Sequence, residues 1–339
     1  MTRTRTAPAP HPDPHPGDTA AGLLDPLVDE ALAWTERHSE HFRLPPDVTT
    51  TGDPNLTLKP LGELAELTAV VAARHPLPGP RARAARLFSF AWRQTREGAL
   101  FTELVRGEPQ ATFPVELYAV FARAGLRDPA VEELLRTTTA LRGWRVARDD
   151  HTRTLSVLNA EARIGLPPHA DFATVLAHTG LGRRTEPWLL ECRTAYGLTH
   201  DVFHLTDWGR DPSRLAGGTA EYLRAWLPAW VESWLEEQLW DLVGELLAVT
   251  ACLPGAPFDP VAWRRLAGAR SADGALPEQG APPPDGTGTR ETFLACYHST
   301  LVLAFAATLA RTALPESAAS PPLPQSPALP QSPESEAPV

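Results

Sequence analysis

The chain has 339 residues, of which 43% are hydrophobic and 21% charged, an ordinary composition for a globular protein. Its net charge of −10 argues against nucleic acid as a partner, because surfaces that bind phosphate are basic, and equally against a polybasic membrane anchor. Three cysteines, Cys192, Cys252 and Cys296, are too few for a disulfide framework and fit a reducing compartment. We therefore expect a cytoplasmic protein, and the abundance of alanine, leucine, proline and arginine suggests a GC-rich bacterial genome.

Both ends of the chain have the composition of disordered segments. Residues 1–18 are rich in proline and lack the apolar stretch of a secretory signal. Residues 314–339 contain the tandem sequence LPQSPALPQSP, which is a low-complexity, polyproline-type pattern. Between these tails we expect a single helical domain over residues 19–313.

Helical periodicity dominates that central region. The first segment, LLDPLVDEALAWTERHSEHF, repeats apolar residues three and four positions apart, and RARAARLFSFAWRQT and DPAVEELLRTTTALRGW follow the same pattern. Breaks between segments fall at proline–glycine clusters such as HPLPGPR. The most apolar run, residues 294–310, includes a tyrosine, a histidine and threonines, and so predicts a buried core helix and no membrane span. The predicted fold class is all-α.

A repeated pattern suggests how these helices are arranged. Four short segments, which start at Glu66, Glu116, Asp171 and His298, share one pattern. An acidic or polar residue comes first, and leucine, alanine and valine follow at similar spacings. Each repeat would be one αα-hairpin, and the alternation of apolar and amphipathic helices predicts an inner ring within an outer ring, an α/α toroid of about 12 helices. The four polar residues would either line the mouth of a central cavity or cap helices. For the three carboxylates, capping is the preferred interpretation. Chance matches in an alanine- and leucine-rich chain are the alternative to the repeat.

The densest chemistry lies in GLTHDVFHLTDWG, residues 197–209. His200, His204 and Asp207 stand at positions i, i+4 and i+7, so a helix places all three on one face. Two histidines four apart with a nearby carboxylate are suited to a divalent transition metal, and we predict these three residues as ligands. The alternative is structural, with His204 and Asp207 as a surface ion pair and His200 hydrogen-bonded in the core.

Three further details refine this candidate site. Asp207 falls in the last turn of the predicted helix, where a carboxylate opposes the helix dipole and needs a metal, an arginine or a histidine as partner. Asp201 replaces the general-base glutamate of the His-Glu-x-x-His zinc-protease motif, which argues against that activity. His298 precedes a strongly apolar segment and is predicted to face His200 across the cavity, so that His200, Asp207 and His298 form the candidate catalytic set. A capped core histidine is the alternative for His298.

The segments YGLTHDVFHLTDWG and YHSTLVLAF resemble an uncharacterised family of actinobacterial proteins, a domain of unknown function with a Thr-His-x-x-Phe-x-x-Thr-Asp-aromatic-Gly signature. The resemblance covers roughly residues 20–312. It implies no activity, because none is established for that family. It does imply that a histidine at His200 and an aspartate at Asp207 belong to the signature, whereas His204 does not.

A looser resemblance links the chain to α/α-toroid proteins such as terpenoid cyclases, prenyltransferase β-subunits and lanthionine cyclases. Asp273 and Gly274, followed by a helix that starts Cys-Tyr-His-Ser-Thr, are similar to the Asp-Gly pair that precedes an inner helix in those proteins. The chain lacks the Asp-x-Asp-Asp motif of squalene-type cyclases, and the zinc ligands of the other two groups do not map onto it. The resemblance therefore implies a fold and no function.

The sequence leaves three functions open. The first is an enzyme of bacterial natural-product metabolism, either metal-dependent or acid/base, that acts on a small-molecule or peptide ligand in the central cavity. The second is a non-catalytic scaffold that binds a peptide or a protein. The third is a cyclase-like enzyme that uses carboxylates without a metal. The sequence does not establish whether a cofactor is present; the candidate is a divalent transition metal.

Overall fold

A computed structural model describes residues 19–50, 52–282 and 289–314 of the chain. The predicted tails, residues 1–18 and 314–339, thus lie outside the described residues apart from Leu314. Within the described ranges the chain consists of helices and connecting turns and contains no β-strand. The predicted all-α fold class is confirmed.

The described part of the chain contains fourteen α-helices, which we number in chain order. They are α1 (Ala20–Arg37), α2 (Leu58–Arg74), α3 (Pro78–Gln94), α4 (Ala99–Gly107), α5 (Phe113–Arg123), α6 (Pro129–Thr139), α7 (His151–Ile164), α8 (Phe172–Leu176), α9 (Gly180–Arg183), α10 (Cys192–Leu205), α11 (Gly217–Glu236), α12 (Trp240–Cys252), α13 (Pro260–Gly268) and α14 (Arg290–Ala313).

Local sequence explains where several of these helices begin. α6 and α13 each begin at an Asp-Pro pair. The aspartate precedes the helix and accepts hydrogen bonds from its first free N–H groups, and the proline takes the first helical position. Asp150 caps α7 in the same way, through the N–H group of Arg153 at 2.9 Å. These starts are strong local signals, which is why sequence periodicity and structure agree at them.

Six helices form a closed cycle of packing contacts. α2 packs against α5, α5 against α7, α7 against α10, α10 against α12 and α12 against α14, which returns to α2. Other helices lie outside this cycle, as α1 and α3 do beside α14 and α2, and as α11 does beside α12. The cycle surrounds a cavity to which all six of its helices contribute side chains.

α12 and α14 carry the apolar centre of the molecule and lie unusually close together. A Cβ atom on Gly244 of α12 would lie 2.8 Å from Cγ1 of Val302 on α14. Among the described residues, one helix, α14, is long and apolar enough to cross a membrane, with a mean hydropathy of 1.7, and 83% of that stretch is buried within the protein. The close approach places the residue after Gly244, Glu245, beside α14.

The residues that the repeat pattern aligned do not occupy equivalent places. Glu66 lies in the middle of α2, whereas Glu116 lies in the first turn of α5. Asp171 is exposed and caps the five-residue helix α8, accepting a hydrogen bond from the N–H of Thr174 at 2.8 Å. The helix of the cycle in that part of the chain is instead α7, so short sequence matches assigned the inner position to the wrong segment.

Candidate metal centre

The cavity inside the helix cycle has a volume of about 510 Å³. Pockets of about 300–1,000 Å³ accept small molecules. Apolar side chains from α2, α5, α10 and α14 form part of its wall, and the rest is polar. The polar groups that matter most lie where α10, α12 and α14 face one another, and they include His200, Glu245 and His298.

Three donor atoms converge at this place, and a ring nitrogen of His200 lies beside one of them. Asp241 and Glu245 stand one turn apart on α12. One oxygen of each and a ring nitrogen of His298 all lie within 4.8 Å of one another. Nε2 of His298 is 3.5 Å from Oδ1 of Asp241 and 3.6 Å from Oε1 of Glu245. Nε2 of His200 is 3.4 Å from the same Glu245 oxygen.

These distances suit ligands of a common metal better than they suit hydrogen bonds. A hydrogen bond between a charged nitrogen and a carboxylate is about 2.7–2.9 Å long. Two ligands of a tetrahedral zinc ion with bonds of about 2.1 Å lie about 3.4 Å apart. Oδ1 of Asp241 is moreover buried without a hydrogen-bond partner, which is costly for a carboxylate that nothing else satisfies.

Neighbouring hydroxyl groups hold the two carboxylates in place. Tyr196 donates a hydrogen bond to Oδ2 of Asp241 at 2.8 Å, and Thr199 donates one to Oε2 of Glu245. In each carboxylate the outer oxygen is therefore engaged, while the inner oxygen points at the imidazole rings. Such supporting hydrogen bonds orient the ligands in metal sites.

The ring of His298 has a carboxylate on its other side as well. Its Nδ1 atom lies 3.2 Å from Oε2 of Glu63 on α2, an ion-pair distance at which neither atom makes a well-aligned hydrogen bond, and its Nε2 is directed at Asp241 and Glu245. In metal sites, a carboxylate beside the far nitrogen of a histidine ligand favours its proton at that nitrogen. Glu63 thus links a fourth helix of the cycle to the centre.

The charges of the centre shift the ionisation of its members. Burial opposes protonation of His298, but Asp241 and Glu63 outweigh it and raise the pKa of His298 well above its usual range. Burial likewise opposes protonation of His200, and Glu245 outweighs it and raises the pKa. The carboxylates outnumber the two histidines, and burial, together with the charge of Glu245, raises the pKa of Asp241 to about 6. A divalent cation would supply positive charge and displace the protons of the centre.

His204, one turn beyond His200 on α10, lines the cavity but does not join the converging atoms. Its ring centroid lies 6.2 Å from that of His200, and its Nδ1 is buried without a hydrogen-bond partner. Burial, together with the charge of His200, lowers the pKa of His204 to about 3, so its ring is neutral. The structure brings His200 and His298 together around Glu245 and leaves His204 aside.

Asp207 lies beyond the end of α10 and has arginines as its partners. Its Oδ1 is 2.8 Å from Nη2 of Arg163, and its Oδ2 is 2.7 Å from Nη2 of Arg123. Arg163 also binds Glu66 through two hydrogen bonds. Both oxygens of this carboxylate bind guanidinium groups and neither lies among the atoms that converge at Glu245, so the predicted ligand set His200, His204 and Asp207 is not assembled.

Sequence reasoning missed the residues that complete the centre. Asp241 and Glu245 are separated by three residues within WDLVGELLAVTAC, an apolar stretch in which acidic residues are out of place. Carboxylates are rarely buried unless they are paired or bind a metal. Their spacing of four on a helix was therefore an available signal, equal in form to the histidine pair that drew attention instead.

Comparison with known proteins gives a family and no activity. No curated protein and no solved structure matches the chain. One family model does match, over residues 28–308, and its description is a domain of unknown function, DUF6895. The matched region starts within α1, ends within α14 and contains all residues of the centre described above. The chain therefore belongs to the DUF6895 family.

Proposed function

We propose that this protein is a metal-dependent enzyme. Asp241, Glu245 and His298 bind a divalent transition metal and leave a fourth position open beside His200, and the substrate is a small molecule that enters the cavity. The helix cycle then acts as an α/α toroid with the metal in its centre. The observation that carries the proposal is the convergence of three donor atoms, from Asp241, Glu245 and His298, within 4.8 Å of one another.

The donor set indicates which metals and which chemistry fit. Imidazole and carboxylate ligands suit zinc, iron and manganese, whereas the softer thiolate ligands are missing from the set. Because Glu245 and His298 line the cavity, a metal bound to them faces the space where a substrate would lie. Such a metal polarises a substrate oxygen or activates a bound water molecule. The size of the cavity favours a small molecule over a folded protein partner.

Metal analysis of the purified, tag-free protein tests the ligand set. We expect near-stoichiometric metal in the parent protein and a loss of metal in Glu245→Gln and His298→Ala. Asp207→Asn and His204→Ala are matched controls, because both positions are close to the cavity but outside the proposed set, and they should keep their metal. A parent that takes up no metal, or a loss confined to the Asp207 and His204 variants, would contradict the proposal.

A second measurement separates a catalytic metal from a structural one. Structural sites are closed by protein ligands, whereas catalytic sites keep an open position. We expect azide to change the visible absorption spectrum of the cobalt-substituted protein, because the proposed metal faces the cavity. A spectrum that azide leaves unchanged would mean a closed site, and would favour the non-catalytic scaffold over the enzyme.

A further inference from the structure

The turn after α10 has a strained backbone that the surroundings maintain. Asp207, Trp208 and Gly209 have φ angles of +49°, +58° and +73° in succession. A left-handed conformation at a residue other than glycine costs about 1–3 kcal/mol, and such strain gathers at functional sites. The hydroxyl of Thr206 accepts a hydrogen bond from the N–H of Gly209 at 3.0 Å, and the N–H of Trp208 donates to the carbonyl of Phe203 at 2.7 Å.

This turn delivers the ring of Trp208 to the cavity. Phe203 stacks on Trp208 with a centroid distance of 5.1 Å and an interplanar angle of 19°, and Phe305 meets it edge-on at 5.8 Å. All three rings line the cavity, but both phenylalanines are almost fully buried, whereas Trp208 is only half-buried. Trp208 is therefore the ring of this group that offers most of its surface to a cavity ligand.

The aromatic group lies beside His200, whose Nε2 is 3.4 Å from the proposed metal ligand Glu245. The ring centroid of His200 is 6.0 Å from that of Phe203 and 6.4 Å from that of Trp208. A molecule bound to the metal through one end would thus meet the indole with the part next to that end. Apolar side chains of α2 and α5, Leu67 and Leu117, also line the cavity, so this part of the ligand would lie among apolar groups.

Asp207 holds the turn in its strained conformation. Its carboxylate binds Arg163 and Arg123, and Arg163 in turn binds Glu66 on α2. Arg210 also binds Glu66, at 3.1 Å, and the side chains of Arg163 and Glu66 are buried, so every guanidinium in this network already has a carboxylate partner. A neutral group suits this end of the cavity best.

We propose that Trp208 forms a subsite for an aromatic or flat apolar group of the substrate, next to the metal, and that Asp207 is a positioning residue that fixes Trp208 there through its two arginines. The inference rests on the proposed function, because the metal anchors the other end of the substrate. It names the substrate class: a small neutral molecule with a metal-binding polar group joined to an aromatic or flat apolar one. Aromatic rings gain from stacking on an indole beyond the area that they bury.

Two small hydroxamates test the subsite on the cobalt-loaded full chain. Acetohydroxamate and benzohydroxamate bind a metal through the same two oxygens and differ only in a methyl against a phenyl group. We expect benzohydroxamate to bind about tenfold more tightly to the parent, because the phenyl ring is buried against Trp208. In Trp208→Ala this ratio should fall toward one, whereas the affinity for acetohydroxamate should change little. Trp226→Ala, which removes an exposed tryptophan of α11, is the matched control and should keep the ratio.

The role of Asp207 is tested by the same ratio. Asp207→Asn should lower the preference for the phenyl group and keep both the metal and the affinity for acetohydroxamate, a pattern that a general loss of stability would not produce. If Trp208→Ala fails to fold, Trp208→Phe and Trp208→Leu replace it, and only the aromatic variant should retain a preference. Equal affinities of the two hydroxamates for the parent would overturn the subsite. Binding of neither, with no metal uptake, would instead overturn the proposed function.

Discussion

At the scale of single residues, Gly209 shows how little room surrounds the turn after α10. Its φ is +73°, and a Cβ atom there would lie 2.9 Å from Cδ1 of Leu309 and 3.3 Å from Sγ of Cys252. We expect Gly209→Ala to lower the free energy of unfolding by about 2–5 kcal/mol, since backbone strain and overpacking add. Urea unfolding measures the loss. Gly255→Ala is the control, because its φ is +71° but no atom lies within 4 Å of the added methyl group; equal losses at the two sites would contradict the steric argument.

Glu66 makes the stability of the protein depend on pH. Burial opposes its ionisation, but Arg163 and Arg210 outweigh burial and lower its pKa to about 2. Because the folded pKa lies below the unfolded value, the stabilisation is present above about pH 4.5 and is lost as the pH falls toward about 2. Glu66→Gln should therefore cost roughly 3 kcal/mol at neutral pH and progressively less on acidification.

Unfolding of the parent and of Glu66→Gln at a series of pH values measures this difference. Glu221→Gln, at an exposed glutamate of α11, is the matched control and should follow the parent at every pH. A constant difference between the parent and Glu66→Gln across the acidic range would show that the ion pair is not the source of the stabilisation.

Only some residues of the candidate site could be predicted from the sequence. His200 and His298 stood out because histidines are sparse in the apolar parts of the chain, and the structure does bring them together at Glu245. Asp207 was correctly expected to need a partner, and that partner is arginine. Asp241 and Glu245 could have been noticed as two acids four apart in an apolar stretch, but the sequence gives no sign of what faces them. That information lies in the packing of α12 on α14.

At the scale of helices, the spacing between α12 and α14 sets the geometry of the centre. Gly244 allows Val302 to approach its backbone, and the next residue, Glu245, is thereby brought to His298. We expect Gly244→Ala to push the helices apart and weaken metal affinity at least about tenfold, since a shift of a few tenths of an ångström spoils the ligand geometry. Metal titration with a competing chelator measures the effect.

A second substitution makes that test specific. Val302→Ala removes the methyl groups that the new Cβ would meet, so the double variant Gly244→Ala, Val302→Ala should recover most of the affinity. Val302→Ala alone is the control and should bind metal like the parent. An affinity that stays low in the double variant would mean that Gly244 acts through something other than helix spacing.

The sequence showed which segments are helices more readily than it showed where each helix packs in the fold. Amphipathic patterns identified α1, α3 and α6, because one side of each faces solvent. α12 and α14 are apolar on most sides, so periodicity does not indicate which side meets the cavity. The repeat failed at Asp171 for a related reason: alanine–leucine matches are frequent in such a chain, and only tertiary contacts show that α7 belongs to the cycle.

At the scale of the whole molecule, the centre joins helices that are far apart in the sequence. Glu63 comes from α2, His200 from α10, and Asp241 and His298 from α12 and α14. The first and last of these helices also close the cycle by packing on each other. A metal bound there would link the two ends of the cycle, so its binding and the stability of the whole fold should be coupled.

This coupling gives the last expectation. A ligand that binds only the folded state stabilises it by about 2.7 kcal/mol at a free concentration one hundred times its dissociation constant. We therefore expect the melting temperature of the parent to rise on metal addition and to fall back with a chelator. Asp207→Asn should respond in the same way, since its carboxylate binds arginines, whereas Glu245→Gln should melt at one temperature under both conditions. A metal response that survives in Glu245→Gln would place the ion elsewhere, and a response lost only in Asp207→Asn would restore the ligand set expected from the sequence.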